Sequence, residues 1–345
     1  MTTTASPAAS TGSAFGAPAK KGITGSTIKL IAITAMLIDH IAAVILERML
    51  MRAGYLLATM NTDLMSEWIA EHRLLYFSYM MMRLIGRFGF PIFCFLLVEG
   101  FLHTHNRKKY ALRLCLFALV SEIPFDFAFR GEWFYTGYQN VFFTLFLGLL
   151  AMCAFSWIKE HIKGGVPGVL CLAAGILLTG CYGGYSAYYT TTIAYALLDP
   201  FLPASLGKAA FFIIPAVITA VIIAFLLLWL SHKHGAVYAQ VVGADLGALC
   251  IAAFAADLLM TDYSGMGVIT IALMYAFRKH PVKSMLAGCI CLTLMDISEA
   301  SAFLMLIPIS RYNGKRGLSL KYVFYAFYPV HLALLYLICY AMGLA

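Results

Sequence analysis

The chain has 345 residues, 62% hydrophobic and only 12% charged, with a mean hydropathy of +0.85 and a net charge of +8. A soluble domain carries about half apolar and a quarter charged residues, so the composition excludes an ordinary water-soluble protein and points to the membrane. The positive charge reads as basic cytoplasmic loops rather than nucleic-acid binding, because no basic patch with interleaved aromatics stands outside the apolar runs.

Residues 1–27 are rich in Ala, Ser, Thr, Gly and Pro and are expected to form a disordered cytoplasmic tail. They do not read as a signal peptide. The polar tail comes first, and the apolar stretch behind it is too long and has no small-residue cleavage site. The remainder, 28–343, reads as one all-α domain, a polytopic bundle of about ten spans, each needing roughly 20 apolar residues. Long unbroken runs favour helices over a barrel.

In chain order the expected spans are 28–46, 84–102 (with Pro91 able to kink it), 112–129, 141–157 and 166–182. Residues 190–207 suggest a loop with a short or re-entrant helix. Then come 209–230, 236–259 and 264–277. Residues 282–309 are apolar but interrupted by Asp296 and Glu299, which predicts a broken helix or a re-entrant pair. The last span is 322–342. There is no internal repeat of the kind many transporters carry. The nine cysteines fall mostly in apolar runs without a Cys-x-x-Cys pair, so they read as small buried hydrophobes and no metal site is expected.

Charge bias sets orientation. Lys20, Lys21 and Lys29 precede or open span one, which places the N-terminus in the cytoplasm of a cell-membrane protein. Counted from there, 17 of the 24 Lys and Arg are cytoplasmic if 282–309 crosses an even number of times.

Half of the 16 acidic residues lie in or near spans, where ionisable groups are functional candidates. Asp39 and His40 are adjacent in span one. A buried carboxylate would orient the imidazole, making His40 a general base or nucleophile; the plain alternative is a structural His–Asp hydrogen bond. Arg83 and Arg87 share a helical face and could hold phosphate or carboxylate, or snorkel to headgroups. Glu99 could pair with an arginine or with His103, one turn on. Glu122 and Asp126 flank Pro124 on one face, which suits a proton relay or cation site as well as acyl transfer. The loop 103–113, with Arg107, Lys108 and Lys109, reads as a lipid anchor or as a clamp for a polyphosphate donor. So does 311–321, where Arg311 and Lys315 sit beside Gly314 and Gly317. In the last span, Tyr328 and His331 interrupt the apolar run. Asn140 and the pair Asp262/Tyr263 mark span ends and read as helix caps.

Four runs, IKLIAITAMLIDHIAAVI, RLIGRFGFPIFCFLLVEGFLHTHNRKKYALRLCLFALVSEIPFD, NVFFTLFLGLL and YNGKRGLSLKYVFYAFYPVHLALLY, resemble the TraX family of integral membrane proteins. The resemblance covers about 27–160 and 260–342, leaving out an insert at 47–80 and the middle of the chain. It implies an acetyl-coenzyme A-dependent membrane acetyltransferase, akin to the acyltransferase-3 proteins and heparan-α-glucosaminide N-acetyltransferase. The first-span histidine central to that wider group matches His40. Its donor-engaging arginines match Arg83 and Arg87, and its intramembrane acid matches Glu99. Conjugative pilin is not thereby implied as the substrate.

The resulting expectation is a catalytic set of His40, Asp39, Glu99, Glu122 and Asp126. The donor acetyl-coenzyme A would be held by Arg83, Arg87, Arg107, Lys108, Lys109, Arg311, Lys315, Tyr328 and His331. The expected partners are a small-molecule or polymeric acetyl acceptor and membrane lipid, with no nucleic acid and the oligomeric state open. Two other classes fit less well: a proton-coupled transporter or channel using Glu122, Asp126, Asp296 and Glu299, and a non-catalytic assembly protein.

Overall fold

The computed structural model describes residues 22–198, 210–318 and 321–344. The expected tail lies mostly outside them, as do residues 199–209. The described residues form helices joined by short connections, with two isolated β-bridges, Ile23 to Tyr312 and Gln139 to Thr261. Among the described residues six helices are long and apolar enough to cross a membrane, and four shorter apolar ones join them. The chain is thus a multi-pass helical membrane bundle.

Helix α1 (Gly25–Arg52) overruns its expected end. It contains a π-helical stretch at Ala42–Leu46, just after His40. Two short helices, α2 (Tyr55–Ala58) and α3 (Thr62–Glu71), follow. The second span begins at Arg73, earlier than expected, because 73–83 is apolar between its two arginines. It consists of α4 (Arg73–Gly86) and α5 (Gly89–His103). The break falls at Arg87–Phe88, ahead of Pro91. Proline in the first turn of α5 lacks an N–H that would be unbonded there in any case.

Next come α6 (Arg107–Arg130), α7 (Val141–His161) and α8 (Gly165–Leu198). Helix α8 continues through the first part of the segment expected to be a loop. After α9 (Ala210–His234) and α10 (Ala236–Leu258) come α11 (Ser264–Ala276) and α12 (Pro281–Met295). Asp296 ends α12. A 3₁₀ segment (Ile297–Met305) and α13 (Leu306–Ser310) then carry the chain back, so the helix expected over 282–309 is broken at Asp296. The last helix is α14 (Lys321–Ala341).

Helix association in lipid rests on close packing rather than on water exclusion. Buried Ile28, Phe95, Phe101, Leu149, Ile271, Met285 and Leu292 join α1, α5, α7, α11 and α12 in the main core. A second cluster, with Met36, Val44, Phe125, Tyr328 and Leu332, joins α1, α6 and α14. Helices α8 and α9 approach closely because Gly183 and Gly184 face Thr219 and Ala216. Most of α9 is exposed apolar surface, including Val217, Ile222 and Phe225, as a lipid-facing helix requires. All nine cysteines are free, five of them buried.

One end of the bundle gathers the start of α1, the α5–α6 turn and the loop 311–318. There Ile23, Gly25 and Ser26 donate backbone hydrogen bonds to the carbonyls of Arg311, Lys315 and Arg316 at 2.8–2.9 Å. These carbonyls satisfy N–H groups at the start of α1 that have no partner within the helix. We call this the basic end.

Candidate active site

A cavity of about 540 Å³ opens at the basic end between α1, α5, α6, α7 and α14. Lys29, His103, Arg113 and Arg316 line it toward its mouth. Its neck is apolar, with Ile33, Phe93, Leu97 and Leu145. Met36, Phe142 and Tyr328 line its inner reach. Tyr328 is almost fully buried.

Behind Tyr328 stands His40, the two ring centroids 5.9 Å apart. His40 lies eleven residues beyond Lys29, about 16 Å along the helix at 1.5 Å per residue. Its Nδ1 lies 2.6 Å from Nε2 of His331. The Nδ1 of His331 is 2.7 Å from the Phe327 carbonyl oxygen, one turn back in α14. A carbonyl can only accept, so His331 carries its proton on Nδ1 and presents a bare Nε2. His40 must then donate from Nδ1, which leaves its own Nε2 unprotonated. A backbone carbonyl thereby fixes both tautomers and equips His40 as a base.

Asp39 does not orient His40, and that expectation is corrected. Successive helical residues diverge by about 100°. Asp39 faces α4, where Arg83 Nη1 lies 2.6 Å from Oδ1. Gly86 makes room for it: a Cβ there would collide with the Asp39 carboxylate. The partner of His40 is His331, which sequence spacing could not supply across 291 residues.

Arg83 and Arg87 do not line the cavity. Arg87 Nη1 lies 3.1 Å from Oε1 of Glu299, whose side chain is fully buried. Both arginines are thus paired with carboxylates within the bundle, and the cavity is lined by other cations. Nearby, the Tyr138 hydroxyl donates to Asp262 at 2.7 Å.

Glu99 lines the mouth, accepting from the Tyr312 hydroxyl at 3.0 Å with His103 3.8 Å away. Glu122 and Asp126 lie at the other end of α6 and hold the following loop. Glu122 accepts from the Asn140 side chain and, at 3.3 Å, from its backbone N–H. Asp126 accepts from the Tyr135 N–H at 2.9 Å. Asn140 caps α7 through the Phe142 N–H, as its position implied. These contacts give Glu122 and Asp126 a loop-fastening role and do not bring them to His40.

The cations at the cavity also differ from those expected. Arg107 lies over the Phe101 ring at 4.5 Å. Lys108, Lys109, Arg311 and Lys315 are exposed and lie outside the lining. The cavity takes Lys29, Arg113 and Arg316 instead. Helical spacing could have pointed to one of them: Tyr110, Arg113 and Leu114 share a face at i, i+3 and i+4, and all three line the cavity. Among the described residues no cluster of three potential metal ligands occurs.

The arrangement defines a multi-pass membrane protein with an imidazole pair beside the inner reach of a basic-mouthed cavity. The family model described as TraX protein matches residues 24–243 and 216–339, and the chain belongs to that family. The match includes the middle of the chain, where the sequence motifs carried no resemblance. The chain is 27% identical over 317 residues to the probable fimbrial assembly protein FimC, serogroup H1, of Dichelobacter nodosus, covering 89% of this chain and 92% of that protein. No solved structure matches it.

Proposed function

We propose that the protein is an acetyltransferase that moves an acetyl group from acetyl-coenzyme A to an amine or hydroxyl of an envelope-associated acceptor. One observation carries the reading: the tautomer-locked pair His40–His331 stands directly behind Tyr328, which lines the inner reach of a cavity whose mouth is cationic and whose neck is apolar. Cations suit the donor's phosphates, and an apolar neck suits its uncharged arm. The relative's name, a fimbrial assembly protein, favours a surface-structure subunit as acceptor.

The basic end faces the cytoplasm in this reading, by the positive-inside rule, and the acceptor arrives from the opposite face. The donor supplies a thioester carbonyl. His40 Nε2 removes the proton from the acceptor amine or hydroxyl as its lone pair attacks that carbonyl. The new C–N or C–O bond forms, the C–S bond breaks, and the proton passes to the leaving thiolate. His331 accepts the His40 Nδ1 hydrogen bond and steadies the imidazolium while it exists. Tyr328, beside the imidazole, is the hydroxyl placed to donate to the carbonyl oxygen.

Acetyl-coenzyme A should raise the melting temperature of the detergent-purified protein by mass action. His40→Ala should keep that rise and lose acetyl transfer. Wild-type transfer by His40→Ala would end the proposal.

A further inference from the structure

The donor cavity stops one ring short of the base. Tyr328 lines its inner reach, and neither His40 nor His331 is in that lining. The Tyr328 ring stands edge-on to both imidazoles, its centroid 5.9 Å from that of His40 and 5.7 Å from that of His331. Phe142, which also lines the cavity, meets it edge-on at 4.9 Å, and Tyr328 is only 3% exposed. Reacting atoms must approach to about 3–3.5 Å before a bond forms. A thioester in the cavity cannot come that close to an acceptor held by His40 while this ring stays in place.

The helix that carries the ring has slack beside it. Pro329 follows Tyr328 inside α14. Proline has no N–H, so the Tyr325 carbonyl, four residues back, loses the donor that a continuous helix would give it. Tyr325 and Tyr328 lie one turn apart and both line the cavity. Tyr325 meets α6 through a ring stack on Phe117, with centroids 4.4 Å apart. The base itself is held independently: the His331 ring stacks on Phe327 at 4.6 Å and is bonded to the Phe327 carbonyl.

We propose that Tyr328 is a gate between the donor cavity and His40, that Pro329 is its hinge, and that the gate is shut in this structure. This rests on the acetyltransferase reading and adds to it a step that precedes the chemistry. With the gate shut, a bound thioester is kept from His40 and from any water that His40 would activate, so the donor is not hydrolysed while no acceptor is present. The donor favours the open state because its thioester end occupies the space the ring vacates, a contact the shut state cannot make. The ring and the hydroxyl of Tyr328 then have separate roles. The ring closes the path, and the hydroxyl donates to the carbonyl oxygen once the path is open. Tyr328→Phe keeps the first role and removes the second.

The probe is diethyl pyrocarbonate, which acylates an imidazole at an unprotonated ring nitrogen such as Nε2 of His40. The protein is labelled in nanodiscs without donor, and the His40 peptide is followed by mass spectrometry, with the exposed His103 as reference. An open state populated at about 0.1–10% slows labelling in proportion. Tyr328→Ala should therefore label His40 roughly tenfold faster than wild type or more, and Tyr328→Phe at the wild-type rate. Pro329→Ala restores the bond to the Tyr325 carbonyl and should label roughly two- to tenfold more slowly, the scale of one backbone hydrogen bond. Leu335→Ala removes a buried side chain of α14 outside the cavity lining and should leave the rate unchanged. Equal labelling of wild type, Tyr328→Ala and Pro329→Ala overturns the gate, as does an equal gain from Leu335→Ala. Acetyl transfer is assayed separately. Ring-dependent labelling without His40-dependent transfer would sustain the gate and sink the transferase. His40-dependent transfer with labelling indifferent to Tyr328 would do the reverse.

Discussion

The Nδ1 of His40 and the Nε2 of His331 lie 2.6 Å apart, and the Phe327 carbonyl behind them dictates which nitrogen carries each proton. The consequence is directional. His40 can take a proton at Nε2 only if His331 continues to accept at the other side of the ring.

Replacing His331 should therefore slow the chemical step and spare donor binding. His331→Ala should lower kcat roughly 10²-fold, the scale of general-base assistance, with the donor KM unchanged. His331→Gln, whose amide oxygen can still accept, should keep more activity than His331→Ala. A rise in donor KM with kcat preserved would instead make His331 part of the donor-binding wall, as the sequence had suggested.

Arg87 and Glu299 give a prediction of the opposite kind. Glu299 is fully buried and Arg87 is its ion partner. Removing one member of a buried pair leaves an uncompensated charge, at a cost of about 3–5 kcal/mol. Arg87→Ala should lower the melting temperature sharply, and Arg87→Ala with Glu299→Ala should recover part of the loss. A donor-binding Arg87 would show an unchanged melting temperature and a raised donor KM.

These two pairs mark how much the sequence revealed. The class was legible, because apolar runs of spanning length have one stable solution in lipid. His40 stood out because an imidazole inside such a run is costly unless used. Its partner did not, since α1 and α14 are brought together only by packing. Asp39 misled because adjacency in sequence is divergence on a helix. Arg83 and Arg87 look like an anion clamp when Asp39 and Glu299 cannot be placed opposite them. The same blindness put Lys108 and Lys109 at a cavity that Lys29, Arg113 and Arg316 line instead. Which side of a helix faces a cavity depends on neighbours that local spacing does not specify.

The mouth of the cavity can be tested by charge removal. Arg113→Gln and Arg316→Gln should each raise the donor KM by roughly three- to tenfold, and more at low salt than at high salt. Lys108→Gln with Lys109→Gln should do much less, because neither residue lines the cavity. Titrating the melting temperature with acetyl-coenzyme A at two ionic strengths would separate the cases. Equal losses from both sets would return the donor to the exposed loop.

The loop that closes the mouth is itself fastened to α1, and its two glycines differ in a way that isolates the fastening. Gly314 and Gly317 have φ of +73° and +72°, so a side chain at either is strained by roughly 1–2 kcal/mol. Around Gly314 the space is open. At Gly317 a Cβ would also collide with Ser26 Oγ and crowd Thr24 Oγ1, and Ser26 Oγ accepts the Leu318 N–H at 3.1 Å. Gly317→Ala must therefore push 316–318 off the start of α1, uncapping its first turn and displacing Arg316 from the cavity. Gly317→Ala should lower the melting temperature more than Gly314→Ala and, unlike it, raise the donor KM. Equal effects of the two substitutions would mean that backbone strain alone is at work, and that the seat of the loop on α1 contributes nothing to holding the donor.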